Sequence, residues 1–370
     1  MIIELKQDTV HDKRQEEDAT LTHSSLYPVH KKKPGILRNP ALIAVILVAI
    51  LVVTVFILLS GIVGGDHPAE SGSVSTTSPT PNETHSTPDD TSGIPHVTGL
   101  AEAMTVSSTV KSDFVLVADA ETLHAKSAKN ANERMYPASL TKIMTFLVAY
   151  DKIPDRTKKL TLTKDIKNQY AEGSRIGVDV GDVLTVEQCM YAMLLESDTD
   201  AVLLLAKEAA GTEKDFAKLM NEKAASLGLV STHFANATGL HNANHYTTPA
   251  EMAVIFTEAL KNDLFLTIIT TENYEAYLGY MKNGVYSTYR FLFFNGTLVG
   301  RFQKNNLSVK LSNGITILGG KTGFTDEADY CQAALASDAN GKKYIAILGH
   351  AKSAKQSAID TGRALVDALN

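Results

Sequence analysis

The sequence predicts an α+β fold in which helices pack against an antiparallel sheet, and three observations support this prediction. Apolar residues recur at helical spacing around residues 140–150 and through residues 186–226. Further along the chain the spacing changes to alternation, and Asn-Gly pairs at 313–314 and 340–341 interrupt the alternating runs, which is typical of hairpins. With 44% hydrophobic residues in a chain of 370, there is enough apolar material for a core. We therefore expect most strands to come from the C-terminal third.

An uncharged apolar run over residues 41–63 predicts a transmembrane helix. At about 1.5 Å per residue, this run is long enough to cross a hydrocarbon core of about 30 Å. Three lysines and Arg38 lie before it and acidic residues lie beyond it, so the positive-inside rule places residues 1–40 in the cytoplasm. A cleaved signal peptide is the alternative, although the run is long, about forty residues precede it and no clean cleavage site follows.

The segments around this run differ in composition. Residues 1–40 mix charges with little apolar periodicity, and we expect a disordered cytoplasmic tail. Residues 64–98 are rich in Ser, Thr and Pro and almost free of large apolar side chains, which predicts an extended extracellular linker. Residues 99–370 are predicted to form one globular domain outside the cell, and we expect the protein to be a monomer.

The globular domain is predicted to open with a strand at "DFVLVADA" and to continue mainly with helices. Four helices follow, at "SLTKIMTFLVAYD", "TVEQCMYAMLLES", "AVLLLAKEAAG" and "TEKDFAKLMNEKAASLG", and Gly211 and Gly228 end the last two. The runs "LSVKLSNGITIL" and "YCQAALASDANGKKYIAILGHA" then predict an antiparallel meander. The segment "SAIDTGRALVDALN" predicts a closing helix.

Charge and cysteine content argue against several classes of function. The formal net charge of −6 gives no electrostatic basis for binding nucleic acid. Cys189 and Cys331 are the two cysteines, and we interpret both as buried, unreactive thiols, with a bridge between them as the alternative. His241 and His245 are four residues apart, but the Asn, Gly and Pro residues around them disfavour the helix that would make this a zinc site. We expect no metal and no cofactor.

The segment "YPASLTKIMT" places Ser139 and Lys142 three residues apart at the start of a helix. At that spacing both side chains lie on one face, and a lysine whose pKa is lowered by burial can act as the base that activates a serine. The backbone N–H groups at a helix N-terminus also favour a developing oxyanion. The simpler interpretation is a helix-capping serine followed by a solvated lysine.

The segment "GGKTGFT" carries a second lysine in a different context. It is not a phosphate-binding loop, because Ile315 stands where that motif needs a glycine and no helix follows. We interpret it as an innermost strand of the sheet that faces a site. There Lys321 supplies positive charge, Thr322 a hydroxyl, and Gly323 room for a substrate to lie against the strand.

The segment "LESDTDA" has three acidic residues, Glu196, Asp198 and Asp200, within five positions. By spacing alone, a cation site and a helix cap both stay open. The two flanking helices favour a loop in which Asp200 belongs to the first turn of the second helix.

Taken together, Ser-x-x-Lys, a central serine-containing loop and Lys-Thr-Gly resemble the D-alanyl-D-alanine carboxypeptidases, the low-molecular-mass penicillin-binding proteins. The similarity extends over about residues 110–350 and also includes "GSRIGVDVGDVLTVEQCMYAMLLES" and "FANATGLHNANHYTTPAEMAVI". The resemblance implies a β-lactamase/transpeptidase-like fold, with an antiparallel sheet between helical layers. Together with the apolar run at residues 41–63, the resemblance predicts a single-pass protein of a bacterial cell membrane, with the catalytic domain extracellular.

The resemblance implies a serine-type carboxypeptidase that removes the terminal D-alanine of peptidoglycan stem peptides through an acyl-enzyme on Ser139. Lys142 is then expected to accept the serine proton, and Ser197 to relay a proton to the departing D-alanine. β-Lactams are expected to acylate the same serine as substrate mimics.

The resemblance also assigns the substrate contacts. Lys321 and Thr322 are expected to hold the terminal carboxylate, beside Gly323. The backbone N–H groups of Phe324 and of the attacking serine are expected to form the oxyanion hole.

The sequence departs from the family pattern at several positions. The central motif is usually Ser-x-Asn, and here Thr199 occupies the asparagine position, where a shorter hydroxyl replaces an amide that donates and accepts at once. Asp198 adds a carboxylate, Asp329 replaces a glycine that is often found there, and we expect no appended β-domain. A catalytically weakened homologue that binds cell-wall peptide is therefore one alternative, and transpeptidation or β-lactam hydrolysis in the same fold is another.

Overall fold

Strands near the beginning and the end of the described chain belong to the same sheet. The computed structural model describes residues 94–283 and 285–370. Its strands are β1 (Met104–Thr105), β2 (Phe114–Asp119), β3 (Ala125–Lys129), β4 (Lys159–Thr161), β5 (Asp182–Thr185), β6 (Asn273–Lys282), β7 (Val285–Asn295), β8 (Thr316–Thr325), β9 (Asp329–Ser337) and β10 (Lys343–Ala351). The larger sheet has the order β1-β3-β2-β10-β9-β8, with antiparallel neighbours except for the parallel pair β1–β3.

The second sheet, which has the order β4-β5-β6-β7, is antiparallel and smaller. The helices are α1 (Thr141–Lys152), α2 (Lys164–Lys167), α3 (Val186–Leu195), α4 (Thr199–Ala210), α5 (Glu213–Ser226), α6 (Pro249–Leu260), α7 (Asp263–Thr270), α8 (Thr297–Lys304) and α9 (Ala354–Ala368). A short 3₁₀ helix, Ala138–Leu140, precedes α1 directly.

Both faces of the larger sheet are buried, and strand alternation explains how. On β2, Leu116 and Ala118 belong to the main core with α1 and α6, whereas Val115 and Val117 belong to a second core with α9. A sheet with apolar residues on both faces needs a helical layer on each side. The predicted α+β architecture, a sheet between helices, is therefore confirmed.

Polar side chains fix the starts of the helices next to the cleft. Thr185 and Gln188 form a reciprocal capping box at the start of α3. Asp198 caps α4 by accepting a hydrogen bond from the N–H of Ala201 at 2.7 Å. Asp200 lies in the first turn of α4, as predicted, and Gly211 ends this helix with φ of 79°.

The sequence predictions for the sheet are confirmed in part. The strand at "DFVLVADA", the helices and the β9–β10 hairpin are present, and the five longest described strands all follow residue 272. The prediction of an innermost Lys-Thr-Gly strand is wrong, because β8 is the last strand of its sheet and, among the described strands, is paired with β9 alone. The first arm of the hairpin at Asn313-Gly314 is not a strand but pairs through one isolated bridge, between Lys310 and Thr316.

The β6–β7 hairpin, which carries the same Asn-Gly signal at residues 283–284, was not predicted. Cys189 and Cys331 are both buried and free, so they do not form a bridge. The predicted cytoplasmic tail, the transmembrane run and residues 64–93 of the linker lie outside the described residues. None of the described helices is long and apolar enough to cross a membrane.

Candidate active site

A tight turn before α1 positions Ser139. Ala138 adopts a left-handed backbone with φ of 47°, an unfavourable conformation for a residue with a Cβ atom. Gly239 makes this turn possible, because a Cβ atom on Gly239 would lie 2.1 Å from the Ala138 carbonyl oxygen. The backbones of the two segments therefore approach closely, and the turn directs Ser139 into the cleft.

Lys142 lies one helical turn beyond this serine and is buried. Its Nζ atom is 2.9 Å from Ser139 Oγ and 2.5 Å from the carbonyl oxygen of Thr238. Burial lowers the pKa of Lys142 to about 7, although the negative charges of Asp198 and Glu213 act in the opposite direction. A neutral amine can donate to the Thr238 carbonyl and keep its lone pair for the serine proton, so this pair has the geometry and basicity of a nucleophile with its base.

The α3–α4 loop holds Ser197 against a second buried lysine. Ser197 has φ of 60°, and Lys321 Nζ lies 3.1 Å from its Oγ atom and 2.7 Å from the carbonyl oxygen of Thr322. Burial lowers the pKa of Lys321 well below its usual value, and the nearby positive charge of Lys142 acts in the same direction. Two amines thus share one site, each within hydrogen-bond distance of a serine hydroxyl.

The open edge of β8 lies directly against the turn that carries Ser139. A Cβ atom on Gly323 would lie 2.9 Å from the backbone nitrogen of Ser139 and 3.1 Å from the Pro137 carbonyl oxygen. A side chain at this position would therefore push β8 away from the serine. Phe324 follows on β8, and its exposed ring lines the cleft.

Thr199 lies in the same cleft under the loop that contains Gly173. The N–H of Thr199 donates to the Ser174 carbonyl at 2.9 Å, and a Cβ atom on Gly173 would lie 2.3 Å from Thr199 Oγ1. Within the described residues the Thr199 hydroxyl makes no hydrogen bond. In particular, it is not hydrogen-bonded to Lys142 or to Lys321. Thr199, which replaces the asparagine of the central motif, is thus a buried side chain at the wall of the cleft.

The structure brings the predicted residues together around one cleft, but not in one cavity. A cavity of about 440 Å³ is lined by Ser139, Lys142, Thr199 and Phe324. Thr322 lines a neighbouring cavity of about 500 Å³, whose wall also contains Arg301, Glu196 and Glu272. Of the remaining predicted residues, Ser197 and Lys321 hydrogen-bond each other, and Gly323 packs on the serine turn.

A hydrogen-bonded chain that sequence reasoning missed supports the turn from behind. His245 Nδ1 accepts from the N–H of Ala235 at 3.2 Å, so the proton of the neutral ring lies on Nε2. His245 Nε2 then donates to Thr141 Oγ1 at 2.7 Å, and the Thr141 hydroxyl donates to the Ala138 carbonyl at 2.7 Å. Burial lowers the pKa of His245 to about 3, so the ring stays neutral and the direction of the chain is fixed.

Arg301 was also missed, because α8 carries no motif. Its guanidinium donates to Gln332 Oε1 at 3.2 Å and to Ser357 Oγ at 3.0 Å, and it has no carboxylate partner among the described side chains. Burial lowers its pKa to about 10. Arg301 lines the second cavity together with Thr322 and adds positive charge to its wall.

The two aspartates of the central loop, Asp198 and Asp200, stabilise the fold through hydrogen bonds and ion pairs. Asp198 accepts from the N–H groups of Ala201 and Ile176, and burial raises its pKa to about 6. Asp200 is paired with Lys167 at 2.7 Å and with Arg175 at 3.2 Å. Neither aspartate belongs to a metal-type cluster, since no group of three or more His, Cys, Asp or Glu side chains occurs in the described part of the chain.

At the start of β9, Asp329 has φ of 49° and pairs with Lys352 at 2.6 Å. The left-handed backbone explains why a glycine suits this position, and the ion pair gives the carboxylate a partner outside the cleft.

The fold and the cleft define a class of protein. It is a mixed α+β domain in which a serine at the start of a helix is hydrogen-bonded to a buried lysine, and a second lysine lies on the facing strand. A family profile described as D-alanyl-D-alanine carboxypeptidase matches residues 101–352. The chain belongs to this family.

Several relatives agree with this assignment. The chain is 34% identical over 224 residues to the D-alanyl-D-alanine carboxypeptidase DacF of Bacillus subtilis (strain 168), covering 60% of this chain and 53% of DacF. It is 32% identical to the D-alanyl-D-alanine carboxypeptidase of Streptomyces sp. (strain K15), covering 59% of this chain and 73% of that protein. The matched region thus spans about half the length of DacF.

Among solved structures, the crystal structure of the Streptomyces K15 DD-transpeptidase is similar, with a TM-score of 0.61 and 27% identity. The match covers 72% of this chain and 99% of that one.

The rate of serine acylation is expected to depend on one ionisation near pH 7. Lys142 must be neutral to accept a proton, and burial lowers its pKa to about 7, so the reactive fraction rises with pH and levels off above that value. The second-order rate of labelling by a fluorescent penicillin, measured from about pH 5 to pH 9, should rise about tenfold per pH unit on the acid side. Lys142→Arg, which stays charged, should label at a negligible rate, and a flat profile for the native chain would contradict this role.

Thr141→Val should slow acylation about 10- to 100-fold, because it removes the hydroxyl that joins His245 to the Ala138 carbonyl and loosens the serine turn. Thr141→Ser keeps the hydroxyl and should restore most of the rate. Stopped-flow labelling separates the acylation rate constant from penicillin binding. A merely structural role would lower the melting temperature of Thr141→Val without slowing acylation of the folded fraction.

Proposed function

We propose that the chain is a serine-type D-Ala-D-Ala carboxypeptidase that removes the terminal D-alanine of peptidoglycan stem peptides. The observation that carries the proposal is the 2.9 Å contact between Ser139 Oγ and the Nζ atom of the buried Lys142. The order of the three motifs and the family membership support the same reaction. The substrate and the roles of Ser197, Lys321, Thr322 and Phe324 follow from the resemblance to the family, and the role of Lys142 as base is supported by its contact with Ser139.

In the first step the Ser139 oxygen attacks the carbonyl carbon between the two terminal D-alanines while Lys142 accepts the hydroxyl proton. The new C–O bond converts the carbonyl into a tetrahedral oxyanion, which the N–H groups of Ser139 and Phe324 stabilise. The C–N bond then breaks. The proton from Lys142 passes through Ser197 to the leaving nitrogen, so free D-alanine departs and an ester remains on Ser139. Water hydrolyses this ester by the reverse proton path.

The substrate carboxylate is bound where positive charge is buried. Lys321 and Thr322 lie on β8 beside the serine turn. Arg301 lines the same cavity as Thr322, with Glu196 and Glu272 in its wall, and makes no ion pair among the described side chains. A buried cation that lacks a counter-ion gains from an incoming carboxylate. We therefore assign the terminal carboxylate of the stem peptide to this end of the cleft.

A second acyl transfer has one observation in its favour. The structural neighbour from Streptomyces K15 is named a DD-transpeptidase, and its acyl-enzyme step would be shared with the reaction above. In transpeptidation an amine of a second stem peptide, instead of water, attacks the ester on Ser139. β-Lactams would acylate the same serine in either case, because their strained amide occupies the place of the D-Ala-D-Ala bond.

Incubation of the full chain with a stem pentapeptide should release D-alanine, and Ser139→Ala should reduce the rate by at least about a thousandfold, since it removes the nucleophile. The measurement is coupled D-amino-acid oxidation, with mass spectrometry to identify the tetrapeptide. A cross-linked dimer as the main product would favour transpeptidation over hydrolysis.

Thr199→Asn is the matched variant for the central motif. An amide donates and accepts in one plane, so this variant should accelerate release severalfold. If the native chain released no D-alanine and only Thr199→Asn did, the protein would be a weakened homologue that binds cell-wall peptide.

We also propose that residues 41–63 anchor the protein in a bacterial cell membrane with residues 1–40 in the cytoplasm. The uncharged run and the lysines before it support this arrangement. Protease treatment of intact protoplasts should degrade the catalytic domain and protect an epitope placed at the N-terminus. Protection of the catalytic domain in intact protoplasts, or its release into the medium, would contradict this topology.

A further inference from the structure

Three carboxylates line the cavity that contains Ser139. Glu172 comes from the loop that follows α2, whereas Asp326 and Glu327 come from the turn between β8 and β9. All three residues are exposed, and together we call them the acidic rim. Among the described residues, no arginine lines this cavity and its one lysine, Lys142, is buried. The mouth of the cavity is therefore anionic.

The carboxylates of the acidic rim lack strong partners. Asp329 follows in the same turn and pairs with a lysine at 2.6 Å. In the described part of the chain, by contrast, Glu172 and Asp326 make no ion pair, and Glu327 has only His241 Nδ1, at 3.6 Å. Carboxylates that line one cavity repel one another, so an incoming cation stabilises the arrangement.

Two further features indicate that a ligand enters this cavity, since acidic residues on a surface turn are often merely solvated. Ser139 and Lys142 line the same cavity, so the proposed reaction takes place there. Thr199 also lines it, is 1% exposed, and has a hydroxyl that makes no hydrogen bond among the described residues. Because buried polar groups are normally hydrogen-bonded, this cavity needs an occupant that supplies a partner.

The two ends of the cleft determine which part of the substrate meets the acidic rim. The terminal carboxylate is assigned to Lys321 and Thr322, and the reacting carbonyl lies at Ser139, against which Gly323 packs. Beyond Gly323, β8 continues to Thr325 and then enters the turn that carries two of the rim residues. An extended peptide advances about 3.3 Å per residue, so the residue that precedes the D-Ala-D-Ala pair reaches the level of the acidic rim.

A side chain with an alkyl stem and a terminal ammonium group suits this position. Phe324 is 48% exposed in the cavity wall, so its ring can cover methylene groups while the carboxylates bind the charge. The neighbouring cavity carries both signs of charge, from Arg301 and Lys304 and from Glu196 and Glu272. The acidic rim repels a carboxylate, which helps to keep the terminal carboxylate of the substrate at the other end of the cleft.

We propose that the acidic rim selects stem peptides in which the residue before the D-Ala-D-Ala pair carries a free side-chain ammonium. This inference rests on the proposed function, because that function supplies the stem peptide. Acylation of the amine, as in a cross-link to a second stem peptide, removes the positive charge that the rim binds. The preferred substrate is therefore a stem whose amine is not yet acylated, so the chain acts before any reaction that acylates this amine.

Two tripeptides that differ in one charge test this selection. The full chain in detergent is given Nα-acetyl-L-Lys-D-Ala-D-Ala or Nα,Nε-diacetyl-L-Lys-D-Ala-D-Ala, and kcat/KM for D-alanine release is measured. A single exposed ion pair contributes little, so the three carboxylates together should favour the ammonium peptide roughly tenfold. This preference should decrease severalfold from about 50 mM to about 500 mM salt, because exposed charges are screened.

Neutral variants of the acidic rim should remove the preference. Asp326→Asn combined with Glu327→Gln should lower the ratio of the two kcat/KM values to about two, and adding Glu172→Gln should lower it to about one. The matched control is Glu222→Gln, an exposed glutamate of α5 outside the cavity, which should keep the native ratio. Both peptides are measured on the same preparation, so a loss of folded protein cancels in the ratio.

Peptide binding to Ser139→Ala separates this inference from the proposed reaction. This variant lacks the nucleophile, so calorimetry gives the dissociation constants of both tripeptides without turnover. Suppose that the native chain released no D-alanine from either peptide while Ser139→Ala bound the ammonium peptide roughly tenfold more tightly. The proposed reaction would then be wrong, and the selection by the acidic rim would stand.

Four results would overturn the proposal. The first is D-alanine release at equal kcat/KM from the two tripeptides, which would leave the proposed function intact. The second is a preference that persists in the triple variant of the acidic rim, which would place the ammonium site elsewhere. The third is a cross-linked product that needs the rim and a free amine only on the attacking peptide, which would assign the rim to that second peptide. The fourth is a Ser139→Ala variant that binds neither tripeptide, which would contradict the proposed function as well.

Discussion

Two buried lysines share one cleft, and the cost of burying their positive charges is the constraint on which the site depends. Burial lowers the pKa of Lys142 to about 7, and both burial and Lys142 lower the pKa of Lys321. The cleft therefore favours one neutral amine beside Ser139, and an incoming carboxylate favours a charged amine at Lys321. When the proposed substrate binds, Lys142 can therefore act as the base while Lys321 binds the substrate carboxylate.

The surrounding fold keeps these amines in place. Asn236 Oδ1 accepts from the N–H groups of Thr238 and Gly239 at 3.1 and 2.8 Å, which fixes the carbonyl that receives Lys142. The same Gly239 admits the left-handed Ala138, and Gly323 lets β8 approach Ser139. A single loop therefore positions both the base and the nucleophile, so the nucleophile–base distance depends on residues nearly a hundred positions further along the chain.

Sequence predicted the β9–β10 hairpin, the residues of the three motifs and five helices, α1, α3, α4, α5 and α9, because each of these depends on local spacing or local turn chemistry. It did not predict α6, α7 and α8. The Lys-Thr-Gly strand was expected to be innermost because it displays a lysine and a threonine to a substrate. In the structure β8 is the edge strand of its sheet and lies beside the cleft. Sequence did not reveal His245, Thr141 or Arg301 as parts of the site, since their roles arise from contacts between distant segments. The Asn-Gly pair at 283–284 could have predicted the β6–β7 hairpin. Which aromatic rings of this hairpin are exposed depends on the register of the two strands, and composition does not predict that register.

The central claim is that Lys142 is a neutral amine near physiological pH, and direct titration of this side chain tests it. In the folded full chain, with lysine labelled by ¹³C at the ε carbon and the Lys142 signal assigned by its loss in Lys142→Arg, the chemical shift is followed against pH. The expected apparent pKa of Lys142 is near 7. A signal that stays in the charged form up to the usual lysine pKa of about 10.4 would contradict it.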